Sequence, residues 1–528
     1  MNDDLAKLIG FIDAGGMSRR GFLTRTAAFG ATAALATGLA GGAARAADPK
    51  KGGVLKMGLG GGETTDTLDP ALVTNKVGGA VNRQWGDTLV TITPDGKVEP
   101  RLCESYEPNA DATEWKFKIR EGVKFHDGSA MTAEDVAATY KRHSDANTKS
   151  GAAGIMKGLK EIKADGNTLV ITTDGGNADL PYLLSDYHLL IQPKGGVDKP
   201  DAAIGTGPYK LKSAQAGVLY VFEKNADDWD KDRGYYDGVE ITVINDSTAR
   251  NSALQSGQVH VINMVDPKVA KMMGSAPGMK VSAVAGRGHY VFIMHCDTAP
   301  FDNNDLRLAL KYSINRQEMV DKILSGYGSI GNDTPINAAY PFFDKALEQR
   351  PFDLAKAAEH YKKSGHDGSP IELIVADTAF AGAVDAATLW QATCQQAGIP
   401  LTIKKVPDDG YWSDVWNVKP FCASYWEGRP VQDLMYATAY YSKADWNDTR
   451  FKNADFDKLL LEGRSELDPA KRAEIYAKMA KILWGEGGVI VPMFNDFIDA
   501  YSETIAGWRE DPNFELMGGK VSHYTWLA

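Results

Sequence analysis

Cysteine is scarce in this chain, with four in 528 residues and no CxxC pair. That excludes a disulfide-held scaffold and the paired thiols of zinc ribbons and thioredoxin-like redox sites. Basic charge is also short: 58 Lys and Arg stand against 69 Asp and Glu, a formal net charge of −11. A nucleic-acid partner is therefore excluded, because phosphate neutralisation needs a basic face. No apolar run reaches the about 20 residues that span a bilayer. The GxSxG elbow, the P-loop and HExxH do not occur, and 58–63 (GLGGGE) fails GxGxxG at its last position. No His or Met cluster suggests a metal site, and no cofactor is implied. What remains is an ordinary globular composition, 43% hydrophobic and 24% charged, with 54 glycines and 11 tryptophans. At about 100–200 residues per domain, two to four domains are expected.

Residues 1–46 read as an address. Ser18-Arg19-Arg20-Gly21-Phe22-Leu23-Thr24 precedes a short apolar run at 26–39, and Ala44-Arg45-Ala46 is a small-x-small cleavage pattern. Paired arginines before Phe-Leu resemble a twin-arginine export signal. Thr24 stands where Lys is common. Cleavage before Ala47 leaves a soluble, still more acidic mature chain, expected in a bacterial periplasm.

Strand and helix signals interleave along the rest, so the class is α/β. A strand is expected at 51–59, running into Gly60-Gly61-Gly62. Trp115, Phe117 and Ile119 alternate with Lys116, Lys118 and Arg120 in a half-buried strand over 115–125. Thr132-Ala-Glu-Asp135 is the start of a capped helix through Tyr140. One long amphipathic helix is expected over 305–324, and another over 469–484 before a buried strand at 489–494. Strands at 371–376 and 401–406 with a helix at 383–397 make a βαβ unit.

Several segments resemble the dipeptide- and oligopeptide-binding solute receptors of ABC importers, family 5. They are 119–136 (IREGVKFHDGSAMTAEDV), Gly205-Thr-Gly-Pro-Tyr-Lys210 with Asn225 and Trp229, 249–259 (ARNSALQSGQV), and Pro300-Phe301 followed by 305–316 (DLRLALKYSINR). They keep the family's order and span nearly all of the mature chain. The resemblance implies a two-lobe periplasmic binding protein fold (type II, the large class with an extra subdomain) and a hinged ligand cleft. Lobe I would hold 47–293 and 495–528, with a subdomain near 88–200, and lobe II 294–494. The partners implied are a small solute or peptide and an ABC permease in the inner membrane, with the mature chain a monomer. Glycines in 205–209 are read as a turn needing backbone freedom, and His126-Asp127-Gly128 as a turn without a metal.

The resemblance also places the ligand residues. One cluster is the loop 63–68, with Thr64 and Thr65. Another is 411–433. In the family's peptide binders a Trp there precedes an Asp that pairs with the peptide's amino terminus. Here 424–433 reads SYWEGRPVQD; aligned on Trp426, the acidic position holds Arg429. A guanidinium suits a carboxylate or phosphate. Arg429 is therefore expected either to grip an acidic group of the ligand or to bridge to Glu427 or Asp433. Trp412, Tyr425 and Trp426 would supply flat walls. Trp446 and Asn447 are placed near the cleft or in packing, and Tyr290 on the approach to the first crossing strand beside His289. His295 would make a hydrogen bond at the hinge or a pH-sensitive contact. Cys296 and Cys422 would be close enough for a disulfide if their strands are antiparallel neighbours. Cys394 reads as a core residue.

The function expected is therefore capture of an anionic solute (opine-like, acidic peptide-like, a polycarboxylate or its chelate) and delivery to a permease, not catalysis. A di- or oligopeptide receptor using Asp433 is the alternative, and a secreted hydrolase is the remote one.

Overall fold

A computed structural model describes residues 48–528 except 74, 146, 157, 381, 408–410 and 445, and except the side chains of 155, 378, 412 and 413. The expected export signal lies outside the described residues. β1 (Val54–Leu59) sends Leu55, Met57 and Leu59 into a core and pairs in parallel with Gly238–Val243. α1 (Lys76–Trp85) follows the glycine loop and is capped by Asn75, which accepts from the Gly78 N–H at 2.9 Å.

Residues between α1 and Gly238–Val243 build a four-stranded antiparallel sheet in the order Cys103–Pro108, Glu114–Ile119, Thr168–Thr173, Leu159–Asp165. Trp115, Phe117 and Ile119 are buried while Lys116 and Lys118 face solvent, so the expected alternation is realised, but the strand stops at Ile119. The helix Ala133–Ser144 carries a reciprocal capping box between Thr132 and Asp135. This sheet and helix enclose a core of their own.

Two long antiparallel strands decide the remaining architecture. β2 (Met279–Met294) is followed by α2 (Asn304–Tyr312) and α3 (Arg316–Lys322). The expected single helix over 305–324 is thus two helices. Asn315 accepts from the Glu318 N–H at 3.2 Å and starts α3 afresh, so its side chain outcompetes helix continuation. Then come β3 (Phe421–Trp426), α4 (Gln432–Ala439), α5 (Pro469–Glu486) and β4 (Val489–Ser502). β4 extends past the expected 489–494 because its second half keeps pairing with β2, from Met279↔Ser502 to Ile293↔Val489.

One end of this ribbon, Val291 to Met294 with Val489 to Val491, lies in the core that holds Trp390 and Phe421. The other end places Val281, Ile498 and Ala500 in a separate core. The ribbon thus runs through both lobes of a mixed α/β fold. On one side β2 pairs with β3, then Ile371–Val375 and Leu401–Lys405; these two are parallel and joined by the helix Ala383–Gln396, the expected βαβ unit. On the other side β4 leads through Val261–Ile262 to β1. The pairing slips between Ala285 and His289 and again between Tyr290 and Phe292. Residues Lys50–Ala528 form one compact unit.

The glycines of 205–209 serve closeness rather than unusual torsion. A Cβ on Gly205 or Gly207 would lie 2.5 Å from the Trp85 backbone. His126 Nε2 bonds the Gly207 carbonyl at 2.9 Å, fixing the same junction.

Candidate functional site

A cavity of about 1560 Å³ lies between the lobes. Its aromatic floor comes from the sheet. Tyr290 on β2 and Tyr425 on β3 are cross-strand partners, so both point to the same face. Phe380 stacks on Tyr290 with centroids 4.4 Å apart and planes at 8°. The next pair, His289 and Trp426, points to the other face. Trp426, Trp416 and Trp446 form a cluster of tilted and edge contacts 5.9–6.3 Å apart, with Trp446 half exposed on the cavity. Asp448 is buried behind it and accepts from Trp416 Nε1 at 2.9 Å and Trp426 Nε1 at 3.1 Å. Burial pushes its carboxyl up to about 7.

Arg429 sits on the turn between β3 and α4 and lines the cavity. Its Nη1 donates to the Glu427 backbone carbonyl at 3.0 Å, and its N–H donates to the Tyr340 hydroxyl at 3.0 Å. Among the described residues no carboxylate pairs with it, neither Glu427 nor Asp433. Asp433 is buried, and Arg464 Nε reaches its two oxygens at 3.0 and 3.1 Å. Burial nonetheless raises Asp433 to about 6, with the Arg464 charge opposing.

The cavity therefore gathers Tyr290, Tyr425, Trp426, Arg429, Asp433 and Trp446. Thr64 and Thr65 are exposed and stand outside its lining, against the hairpin turn at Gly217. Asn447 is buried as a loop staple, donating to the Phe451 carbonyl at 2.7 Å and accepting from the Phe451 N–H at 3.1 Å. Trp412 lies in the short helix Tyr411–Asp414, with its side chain outside the described residues.

His289 and His295 are buried, and burial lowers both to about 4. His295 Nε2 has no partner among the described residues, so the expected hinge hydrogen bond from its ring is not made there. β2 and β3 are antiparallel neighbours, yet Cys422 stands opposite Ile293, and all four cysteines are free. Cys296 lies beyond the end of β2, out of register for a bridge.

Arg83 on α1, Arg287 on β2 and Lys520 near the C-terminus are among the cavity cations that escaped the sequence reading. Asp496 on β4 also faces the cavity, raised to about 6 by burial. No linear signal marks them, since each is an isolated charge in a different element.

The model of the bacterial extracellular solute-binding proteins, family 5 middle region, matches residues 97–448. The glutathione-binding protein GsiB of Escherichia coli (strain K12) is 24% identical over 467 residues, 85% of this chain and 90% of that protein. Among solved structures, the binding protein AgaA from A. tumefaciens R10 in complex with agropinic acid superposes with a TM-score of 0.75. It is 24% identical and covers 90% of this chain and 99% of its own. The periplasmic binding protein DppA from Helicobacter pylori in complex with the peptide STSA also gives 0.75, at 21% identity, with 90% and 98% covered.

Proposed function

We propose, from the fact that this chain belongs to family 5 of the bacterial extracellular solute-binding proteins, that it captures an acidic solute in the cleft between its lobes. It is the substrate-binding component of an ABC importer and not an enzyme. Arg429 carries the choice of ligand: a guanidinium on the cleft wall, held among the described residues through a backbone oxygen and by no carboxylate, is an anchor for a carboxylate or phosphate. Tyr290, Tyr425 and Trp446 would flank the solute with flat faces. The names of two similar proteins agree in kind, since agropinic acid is an acid and glutathione an acidic peptide.

The Arg19-Arg20-Gly-Phe-Leu pattern supports export by the twin-arginine route to the periplasm. The mature chain acts as a monomer, with lobe I at 47–293 and 495–528, a subdomain near 88–200, and lobe II at 294–494. Solute binding favours a closed form that docks on an inner-membrane permease; only differential affinity for that form drives closure.

The peptide reading rests on the STSA complex of the H. pylori protein. In this chain the amine partner would be Asp496, because Asp433 is engaged by Arg464. Thermal shift separates the two. A ligand at 100 times its Kd adds about 2.7 kcal/mol of stability. Anionic solutes are expected to shift the mature protein, and Arg429→Ala to weaken them by about 2–5 kcal/mol. A shift with neutral peptides alone, abolished by Asp496→Asn, would replace the acidic reading with the peptide one.

A further inference from the structure

The charges on the cavity wall can be sorted by what already holds them. Lys76 is paired with Glu515, and Arg464 with Asp433. Arg250 spends its guanidinium on the carbonyls of Ile244, Asn245, Asn263 and Met264. Arg83, Arg287 and Lys520 share with Arg250 the lack of a carboxylate partner, but they converge on one segment, 513–520. Each lines the cavity, and each is held by neutral acceptors.

Arg83 lies over the rings of Tyr187 and Phe514, at 5.2 and 4.7 Å, and its Nη1 donates to the Gly79 carbonyl at 3.0 Å. Gly519 leaves room for it: a Cβ there would come 2.4 Å from Arg83 Cδ. Arg287 donates to the Ala339 carbonyl at 3.1 and 2.9 Å and to Asn513 Oδ1 at 3.1 Å. Gly428, next to Arg429, is pressed against its stem, where a Cβ would fall 2.0 Å from Arg287 Cβ. Lys520 Nζ donates to Thr91 Oγ1 at 2.7 Å and the Ile92 carbonyl at 3.3 Å. Two carboxylates near them are committed elsewhere: Asp511 accepts the Asn513 N–H at 2.9 Å and its Nδ2 at 2.7 Å, and Asp186 is held by His188 Nδ1 at 2.5 Å. They lower the joint charge without forming an ion pair with Arg83, Arg287 or Lys520.

Arg287 and Arg83 stand near Arg429. Arg287 lies 5.3 Å from the Tyr340 ring, whose hydroxyl accepts from the Arg429 N–H. The Tyr187 phenol feels both Arg83 and Arg429. Burial pushes Lys520 down to about 8, aided by the Arg83 and Arg101 charges and only partly opposed by Asp511, which makes no ion pair with it. Holding several unneutralised cations together in a partly desolvated wall is costly unless a counter-charge arrives.

We propose that Arg83, Arg287 and Lys520 form a second anion site beside Arg429, so that the solute carries two or more acidic groups, as a di- or tricarboxylate or a phosphorylated acid does. This rests on the acidic-solute reading and narrows it. One acid group is gripped by Arg429 from lobe II. The other enters the well on the lobe I side, and closure brings the two together.

The test is titration calorimetry on the mature protein with tricarballylate, glutarate and butyrate, with trialanine amide as the probe without an acid group. The expected result is that tricarballylate and glutarate bind at least about tenfold more tightly than butyrate. Lys520→Met and Arg83→Gln should each remove about tenfold from tricarballylate while leaving butyrate unchanged, whereas Arg429→Ala should weaken all three acids. If Arg83→Gln fails to fold, as judged by circular dichroism, Lys520→Met carries the comparison. Equal affinity for the three acids, or tricarballylate binding indifferent to Lys520→Met, overturns the second site and leaves the acidic reading standing. Binding of trialanine amide with no response to any acid overturns both. Silence from every acid and from the peptide probe overturns the second site.

Discussion

Arg472 on α5 donates through Nη2 to Asp179 Oδ2 at 2.5 Å, and both side chains are buried. Asp179 borders the four-stranded sheet's core, and Arg472 lies beside Tyr476 of a different core, whose hydroxyl it also reaches at 3.1 Å. One hydrogen bond away, the Ala178 N–H donates to the Arg464 carbonyl at 2.7 Å. The pair therefore ties these two cores directly. Removing one partner strands a buried charge, which typically costs about 3–5 kcal/mol. Asp179→Ala is expected to cost that much in urea unfolding, and Asp179→Ala with Arg472→Ala less than the sum of the two. Additive losses would mean the pair contributes no coupling.

Asp448 sets a pH dependence that can be isolated. Its folded value, about 7, lies above its unfolded one, so the folded state binds the proton more tightly. The stability this contributes is present at low pH and is lost as pH rises from about 4 through 7. Asp448→Asn keeps an acceptor for the two indole N–H groups but does not ionise. The variant is expected to match the parent near pH 4 and exceed it by up to about 4 kcal/mol at pH 8. Parallel stability curves for the two proteins would refute this.

The thiols give a simpler check. Cys103, Cys394 and Cys422 are buried, and burial raises Cys103 to about 11 and Cys394 to about 12. Native protein purified without reductant should react slowly with a thiol reagent, and denatured protein should release four equivalents. Fewer than four would reveal a bridge.

Trp446 reports on the cleft. It is half exposed there and edge-on to Trp416 at 5.9 Å. A bound acidic solute should change the tryptophan emission, and Trp446→Phe should remove most of that change while leaving the unliganded spectrum of the other indoles similar. An undiminished signal in Trp446→Phe would place the solute elsewhere.

Much of the fold was legible because its signals are local. The alternation at 115–119, the Thr132–Asp135 cap and the βαβ unit each lie within a few residues of chain. The helix break at Ser313-Ile314-Asn315 was not, because the apolar period continues across it while Asn315 alone restarts the hydrogen bonding. The cavity's lining was legible where one segment carries it, at Tyr425, Trp426 and Arg429. It was not where distant segments meet. Arg83, Arg287 and Lys520 come from a helix, a crossing strand and the C-terminal tail, and only Asn513, Phe514 and Gly519 folding back against them make a wall. Conversely, Thr64 and Thr65 sit on the expected loop but are exposed and outside the cavity's lining.

The slips in pairing between Ala285 and Phe292 fall where the two-stranded ribbon leaves one core for the other. A ladder already interrupted there has fewer bonds to break when it twists. The molecule resembles a sheet of paper with a crease pressed into it: folding along the crease costs little, and folding anywhere else tears the page. A twist of the ribbon therefore costs least between Ala285 and Phe292, which leaves the contacts that meet across the cleft a larger share in setting how the lobes stand.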